Sequence, residues 1–108
     1  MNLKLVMLET FVPETHAKKV RKAMEEAGAG MIGNYSHCSF SVKGIGRFRP
    51  EMGAKPAIGK IGKLEEAAEE RITMQCKRAL LKRIKIAIKK AHPYEEPPIF
   101  VYPVERMK

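Results

Sequence analysis

The side chains able to bind a metal or move a proton gather in two short stretches. One is His37-Cys38, and the other is His92-Pro93-Tyr94-Glu95-Glu96. Imidazole, thiolate and carboxylate together make the donor set of a zinc or copper site. His37, Cys38, His92, Glu95 and Glu96 are therefore the candidate metal ligands, and a divalent transition metal is the cofactor they would hold. They do not all serve one ion, because neighbours on a strand point to opposite faces and at most one of His37 and Cys38 joins a shared site. Each also has a structural role open to it. Cys38 reads as a small core hydrophobe, and His92, placed after a basic helix, as an imidazolium favoured by the helix dipole. No nucleophile with an orienting base is evident, so no enzyme activity is expected. The one enzymatic route left is metal-assisted hydrolysis at a subunit junction, with His92 or a Glu acting on bound water.

A second kind of chemistry lies between these stretches. Residues 44–62 carry Gly44, Gly46, Gly53, Gly59 and Gly62 among Arg47, Arg49, Lys55 and Lys60. Backbone amides freed by glycine, flanked by cations, suit a small anionic effector, and Gly44, Gly46, Arg47, Arg49 and Lys60 are its candidate ligands. The stretch is neither a P-loop nor a dinucleotide fingerprint: it lacks the G-K-[ST] ending, and its G-x-G opens no helix. Its structural alternative is a loop packed on a neighbouring subunit. A third candidate is the cation stripe of Arg78, Lys82, Lys85 and Lys89, suited to a protein partner or to nucleic-acid phosphates. Few aromatics interleave with it and no RNA-recognition signature is present, which disfavours nucleic acid.

The elements that must position these residues follow from periodicity. Residues 3–12, LKLVMLETFV, read as a strand buried on both faces. Ala17, Val20, Met24 and Ala27 recur at helical spacing, with Pro13 and Glu14 in the first turn and Gly28 just past the end. From His37 the period becomes two, giving a half-buried second strand, and Ile72, Met74 and Cys76 alternate in a third. The glycine-rich excursion 44–62 separates these two strands. Leu80, Ile84, Ala87, Ile88 and Ala91 mark a second helix that Pro93 stops, and Ile99 to Val104 is a short strand limited by Pro103. The order βαββαβ makes one α+β domain over 1–108: a four-stranded antiparallel sheet with two helices on one face, the ferredoxin-like arrangement.

The bounds are consistent with that. The chain has 108 residues, 21 Lys and Arg against 12 acids that are all Glu, a net charge of +9, and two cysteines expected to stay as thiols in a reducing compartment. No apolar run is long enough to span a membrane, and no secretory signal opens the chain. A cytoplasmic protein that does not engage a membrane is expected. The scaling of surface with size predicts roughly 6,000 Å² for a compact fold of this mass. The helices cover only one sheet face, so the other requires a second copy, and a homo-oligomer is expected.

Three segments resemble a known family: GAGMIGNYSHCSF at 28–40, GIGRFRPEMGAKPAIGKIGKLEEAAEERI at 44–72, and AHPYEEP at 91–97. Together they are similar to the small domain inserted in the longer Nif-three-like (NGG-interacting factor, YqfO-type) proteins and its stand-alone relatives. The resemblance implies a fold akin to the PII signalling and CutA-type proteins, and a trimer. The longer relatives carry a separate metal-binding domain, often described as a GTP cyclohydrolase of a second type. Here His16, His37 and His92 are the only histidines and Asp is absent, so hydrolase activity is not carried over. The expectation is a nonenzymatic regulatory or binding domain responding to a divalent metal or small anion.

Overall fold

The computed structural model describes residues 4–107. Strands β1 (Leu5–Pro13), β2 (Phe40–Phe48), β3 (Glu65–Lys77) and β4 (Ile99–Pro103) form one sheet in the order β2-β3-β1-β4, with every neighbouring pair antiparallel. Helices α1 (Ala17–Glu26) and α2 (Leu81–Ala91) link β1 to β2 and β3 to β4, each entered through a 3-10 turn. This is the expected ferredoxin-like arrangement.

The core lies between the helices and one face of the sheet. Val6, Leu8 and Val12 of β1 and Ile72, Met74 and Cys76 of β3 alternate onto that face and meet Val20 and Met24 of α1 and Ile84 and Ile88 of α2. Each of these is at most 3% exposed, and full burial of such side chains stabilises by about 1.5–3 kcal/mol apiece. Thr10 shares the face and is satisfied by donating its hydroxyl to the Pro98 carbonyl at 2.8 Å. Burial also pushes the Cys76 thiol above its usual pKa, which keeps it protonated. Gly28 ends α1 as expected. Its positive φ of 110° lets the Gly28 N–H reach the Glu25 carbonyl and the Ala29 N–H reach that of Met24, so two otherwise orphaned helix carbonyls are paired.

Three expectations need correction. The first strand is not buried on both faces: Leu5, Met7, Glu9 and Phe11 are half-buried on the side away from the helices, while Leu3 lies outside the described residues. The second strand begins at Phe40 rather than His37, because His37 has a left-handed φ of 61° that no strand accepts. It also continues through Gly44 and Gly46 to Phe48, pairing residue by residue with β3 back to Glu65. The excursion therefore shrinks from 44–62 to 49–64. Glycine marked a loop in the sequence, but within this strand it permits the close approach of a neighbouring side chain.

The β2–β3 ribbon extends beyond the helices. Extents of 47 × 26 × 22 Å and a surface of 7621 Å² exceed the roughly 6,000 Å² of a compact chain. Most of β2 is exposed, and the sheet face turned from the helices bears Phe40 and Val42 of β2, Phe100 and Tyr102 of β4, and Phe11 stacked edge-on against Phe100 at 6.2 Å.

Candidate functional site

The 49–64 connection and the 92–98 segment, distant in sequence, are tied together at one end of the sheet. Glu95 accepts the Lys55 backbone N–H at 2.8 Å on one carboxylate oxygen and 3.2 Å on the other. The connection is closed at its base by the Gly62 N–H on the carbonyl of buried Pro50, 2.7 Å away, and turned at its tip by the Ala54 N–H on the Glu51 carbonyl. Between the two segments lies an open cleft of about 370 Å³. Phe11, Phe48, Tyr94, Pro56, Ala57 and Ile58 make much of its wall, and Gly46 and Glu69 lie in its floor.

His92 anchors the second segment. Its Nε2 donates to the Phe11 carbonyl at 2.7 Å and its Nδ1 accepts the Tyr94 backbone N–H at 3.1 Å. These bonds assign the neutral tautomer with the proton on Nε2. Burial pushes the His92 pKa below the usual imidazole value. The Phe11 carbonyl and the Glu69 carboxylate pull it the other way, and His16 adds to the lowering. His92 is thus not the charged helix cap expected from its position. It is a neutral brace between β1 and the 92–98 segment.

Tyr94 completes the floor. Its ring packs between Phe48 at 5.7 Å and His92 at 5.0 Å, and its hydroxyl donates to Glu69 Oε2 at 2.6 Å. Burial, followed by the hydrogen bond to Glu69 and that residue's charge, raises the Tyr94 pKa well above the ordinary phenol value. Glu69 is 8% exposed, although its neighbours in β3 alternate between core and solvent. Its carboxylate fits there because Gly46 has no side chain: a Cβ at that position would overlap Glu69 Oε1.

Of the candidate anion ligands, Gly46, Arg47 and Arg49 line the cleft, whereas Lys60 does not, and Gly44 lines only a smaller neighbouring hollow. Arg47 is held by Glu66 and Arg49 by Glu51, each at 2.7 Å. Of the candidate metal ligands, Glu95 and Glu96 line the cleft, buried His92 does not, and His37 and Cys38 stand in the turn before β2. His37 Nδ1 lies 2.8 Å from the Ser36 hydroxyl, and the Cys38 thiol donates weakly to the Ser36 carbonyl at 3.8 Å. Cys38 is partly exposed rather than part of the core. Among the described residues no three His, Cys or Glu side chains converge in a way that would hold a metal. Lys82, Lys85 and Lys89 are exposed on α2, and Arg78 opens the 3-10 turn before it.

Glu69 is not among the residues that composition and motif single out. Its signal was available: the Ile72, Met74, Cys76 alternation, carried backward, places Glu69 on the face away from the helices, opposite a strand that contains two glycines.

The motif-based resemblance extends over nearly the whole chain. It is 46% identical over 102 residues to the GTP cyclohydrolase 1 type 2 homolog of Bacillus subtilis, covering 94% of this chain and 27% of that protein. It is 45% identical over 92 residues to the protein of the same name from Mycobacterium tuberculosis, covering 85% of this chain and 24% of that protein. The chain spans about a quarter of the length of the curated relatives it matches. A solved Bacillus cereus protein related to NIF3 superposes with a TM-score of 0.83 at 44% identity, over 95% of this chain and 26% of that one. The family model of the CutA1 divalent ion tolerance protein matches residues 61–108. The periplasmic divalent cation tolerance protein CutA of Archaeoglobus fulgidus shares the fold at a TM-score of 0.71 and 20% identity, over 96% of this chain and 87% of that one. The fold is therefore of the ferredoxin-like PII/CutA kind. Among the described residues no helix is long and apolar enough to cross a membrane.

Proposed function

We propose that this PII/CutA-like domain is a homo-oligomeric, nonenzymatic binding or regulatory module whose effector enters the cleft between the 49–64 connection and the 92–98 segment. One observation carries the reading: two stretches 40 residues apart meet through Glu95 and the Lys55 amide and enclose a volume of about 370 Å³, within the range of small-molecule sites. The cleft takes most of its wall from loop residues, so an occupant would bridge the two segments.

Assembly is supported by the uncovered sheet face. Phe40 is 67% and Phe100 54% exposed there, and a contiguous apolar sheet face is covered by a partner more often than by water. The reading is a trimer in a reducing compartment such as the cytoplasm. A divalent metal, the ion named for the matching CutA1 family, would meet Glu95 and Glu96 in the cleft and take its remaining donors from water or a second protomer. The activity named for the longer relatives is not assigned to this domain, which spans about a quarter of their length.

Native mass spectrometry of the untagged protein tests the reading. The expected result is a species of three times the 12.2 kDa protomer mass, which the substitution Phe40→Glu or Phe100→Glu converts to monomer. A wild-type monomer with a stable fold overturns the oligomeric part. A second reading rests on Lys82, Lys85 and Lys89, exposed on α2. That stripe suits an acidic protein or nucleic acid. Replacing the three α2 lysines by Glu would then abolish retention on DNA or RNA at low salt, and a wild type with no such retention removes the nucleic-acid case.

A further inference from the structure

We infer that the cleft recognises a small organic cation, a primary ammonium or amidinium carried on an apolar body about the size of one ring. The inference rests on the cleft being the ligand site and specifies the charge of what it takes. It replaces the anion expected from the arginines and glycines of the connection.

The charges in the cleft decide this. Both arginines that line it are already neutralised, Arg47 by Glu66 and Arg49 by Glu51, each at 2.7 Å. Three carboxylates then remain: Glu69, Glu95 and Glu96. Glu95 has one backbone N–H shared between its two oxygens. Glu69 is the decisive group, since it is 8% exposed and, among the described residues, only its Oε2 has a protein donor, the Tyr94 hydroxyl. Its Oε1 lies over Gly46, in a floor that a methyl group would fill. A largely buried carboxylate whose second oxygen is left to solvent at the bottom of a cleft gains from a charged N–H donor. An anion brought to the same place meets a like charge with little water to screen it.

The walls fit the rest of such a ligand. Phe11, Phe48 and Tyr94 offer aromatic surface beside the carboxylate, and a cation held against aromatic faces gains a further electrostatic attraction. Pro56, Ala57 and Ile58 add apolar lining. The net charge of +9 does not reverse this preference: Lys43 and Arg71 share the neighbouring hollow with Glu69, but Arg71 is paired with Glu9 at 3.5 Å, and exposed charges farther off than about 8–10 Å are largely screened at physiological salt.

The test uses phenethylamine, benzamidine and cyclohexylmethylamine against phenylacetate and inorganic phosphate, each titrated into the isotope-labelled full chain and read by amide chemical shifts. The amines are expected to move the amides of Phe48, Glu69 and Tyr94 saturably, and Glu69→Gln to weaken them by about tenfold or more. The side-chain amide oxygen introduced by Glu69→Gln can still accept the Tyr94 hydroxyl, so that variant should fold. If it does not, competition between phenethylamine and phenylacetate on the wild type decides the sign of the preferred charge. Phenylacetate or phosphate binding there as tightly as the amines overturns the cation assignment and leaves the cleft as a ligand site. Absence of any shift at these amides with all five probes overturns both.

Discussion

Replacing Tyr94 by Phe removes one oxygen and leaves the ring between Phe48 and His92 in place. What is lost is the 2.6 Å hydrogen bond to Glu69 Oε2, made to a carboxylate 8% exposed. Hydrogen bonds to charged groups contribute about 1.5–3 kcal/mol, and an unpaired buried carboxylate retains its desolvation penalty. With so little of Glu69 exposed, water replaces the lost donor poorly and a loss of about 2 kcal/mol is expected. With urea dependences of about 1–3 kcal/mol per molar for small domains, the unfolding midpoint should fall by roughly 1 M. The measurement is equilibrium unfolding at one fixed protomer concentration, since assembly contributes to apparent stability. A cycle with Glu69→Gln should show that the two substitutions are not additive. The pH dependence gives a second reading. Tyr94 keeps its proton in the folded chain above the pH at which the unfolded chain releases it. Its contribution is therefore complete below about pH 10 and declines as the pH rises beyond that, a decline that Tyr94→Phe should remove. A Tyr94→Phe loss under about 0.5 kcal/mol, the range of an ordinary surface change, would refute the argument and mean that Glu69 is solvated through the cleft.

Three further outcomes are expected. Gly46→Ala should destabilise by about 1–3 kcal/mol because its methyl displaces the Glu69 carboxylate. Gly44→Ala, two residues away with open space around it, should be close to neutral in the same urea titration. His92 is held neutral, and its lowered pKa means that stability is complete above about pH 6.5 and falls as the pH drops below it. Protonating Nδ1 also removes the acceptor for the Tyr94 N–H, so denaturation at pH 5 and pH 7.5 should differ more for the wild type than for His92→Gln. Glu95→Ala should leave global stability nearly unchanged and accelerate hydrogen exchange at the Lys55 amide, because that amide's acceptor is lost.

What could be read from the chain follows from which residues carry a periodic signal. Ala17, Val20 and Met24, and likewise Ile84, Ile88 and Ala91, are spaced for one helix face and sit on it. The Ile72, Met74, Cys76 alternation marks β3 because a packed core lies against it. β2 has no such core: its side chains are exposed on both faces, and Gly44 and Gly46 replaced the expected strand signal with a loop signal. Its pairing with β3 is a long-range backbone event that side-chain periodicity does not encode. The same limit applies to the site. HPYEEP was visible as a cluster, but the Tyr94 partner is 25 residues away in sequence and the Glu95 partner is a backbone amide 40 residues away. Cys38 looked like a core residue by type, and the left-handed turn at His37 instead leaves it partly exposed.

The pairing of β1 with β4 places Val6 opposite Pro103, and the Val104 N–H reaches the Leu5 carbonyl at 3.3 Å. The two ends of the folded unit therefore leave the sheet side by side. A unit of this kind can be spliced into a surface loop of a larger host without prying the host's strands apart, at the modest entropy of closing a short loop. The junction is also a mechanical one. Pulling the host's flanking segments apart would unzip β4 from β1 beginning at the Val6–Pro103 pair, and Ile99, with the 92–98 segment behind it, would be the last to be drawn away from Thr10 and Phe11. Tension across the splice would thus reach the cleft last.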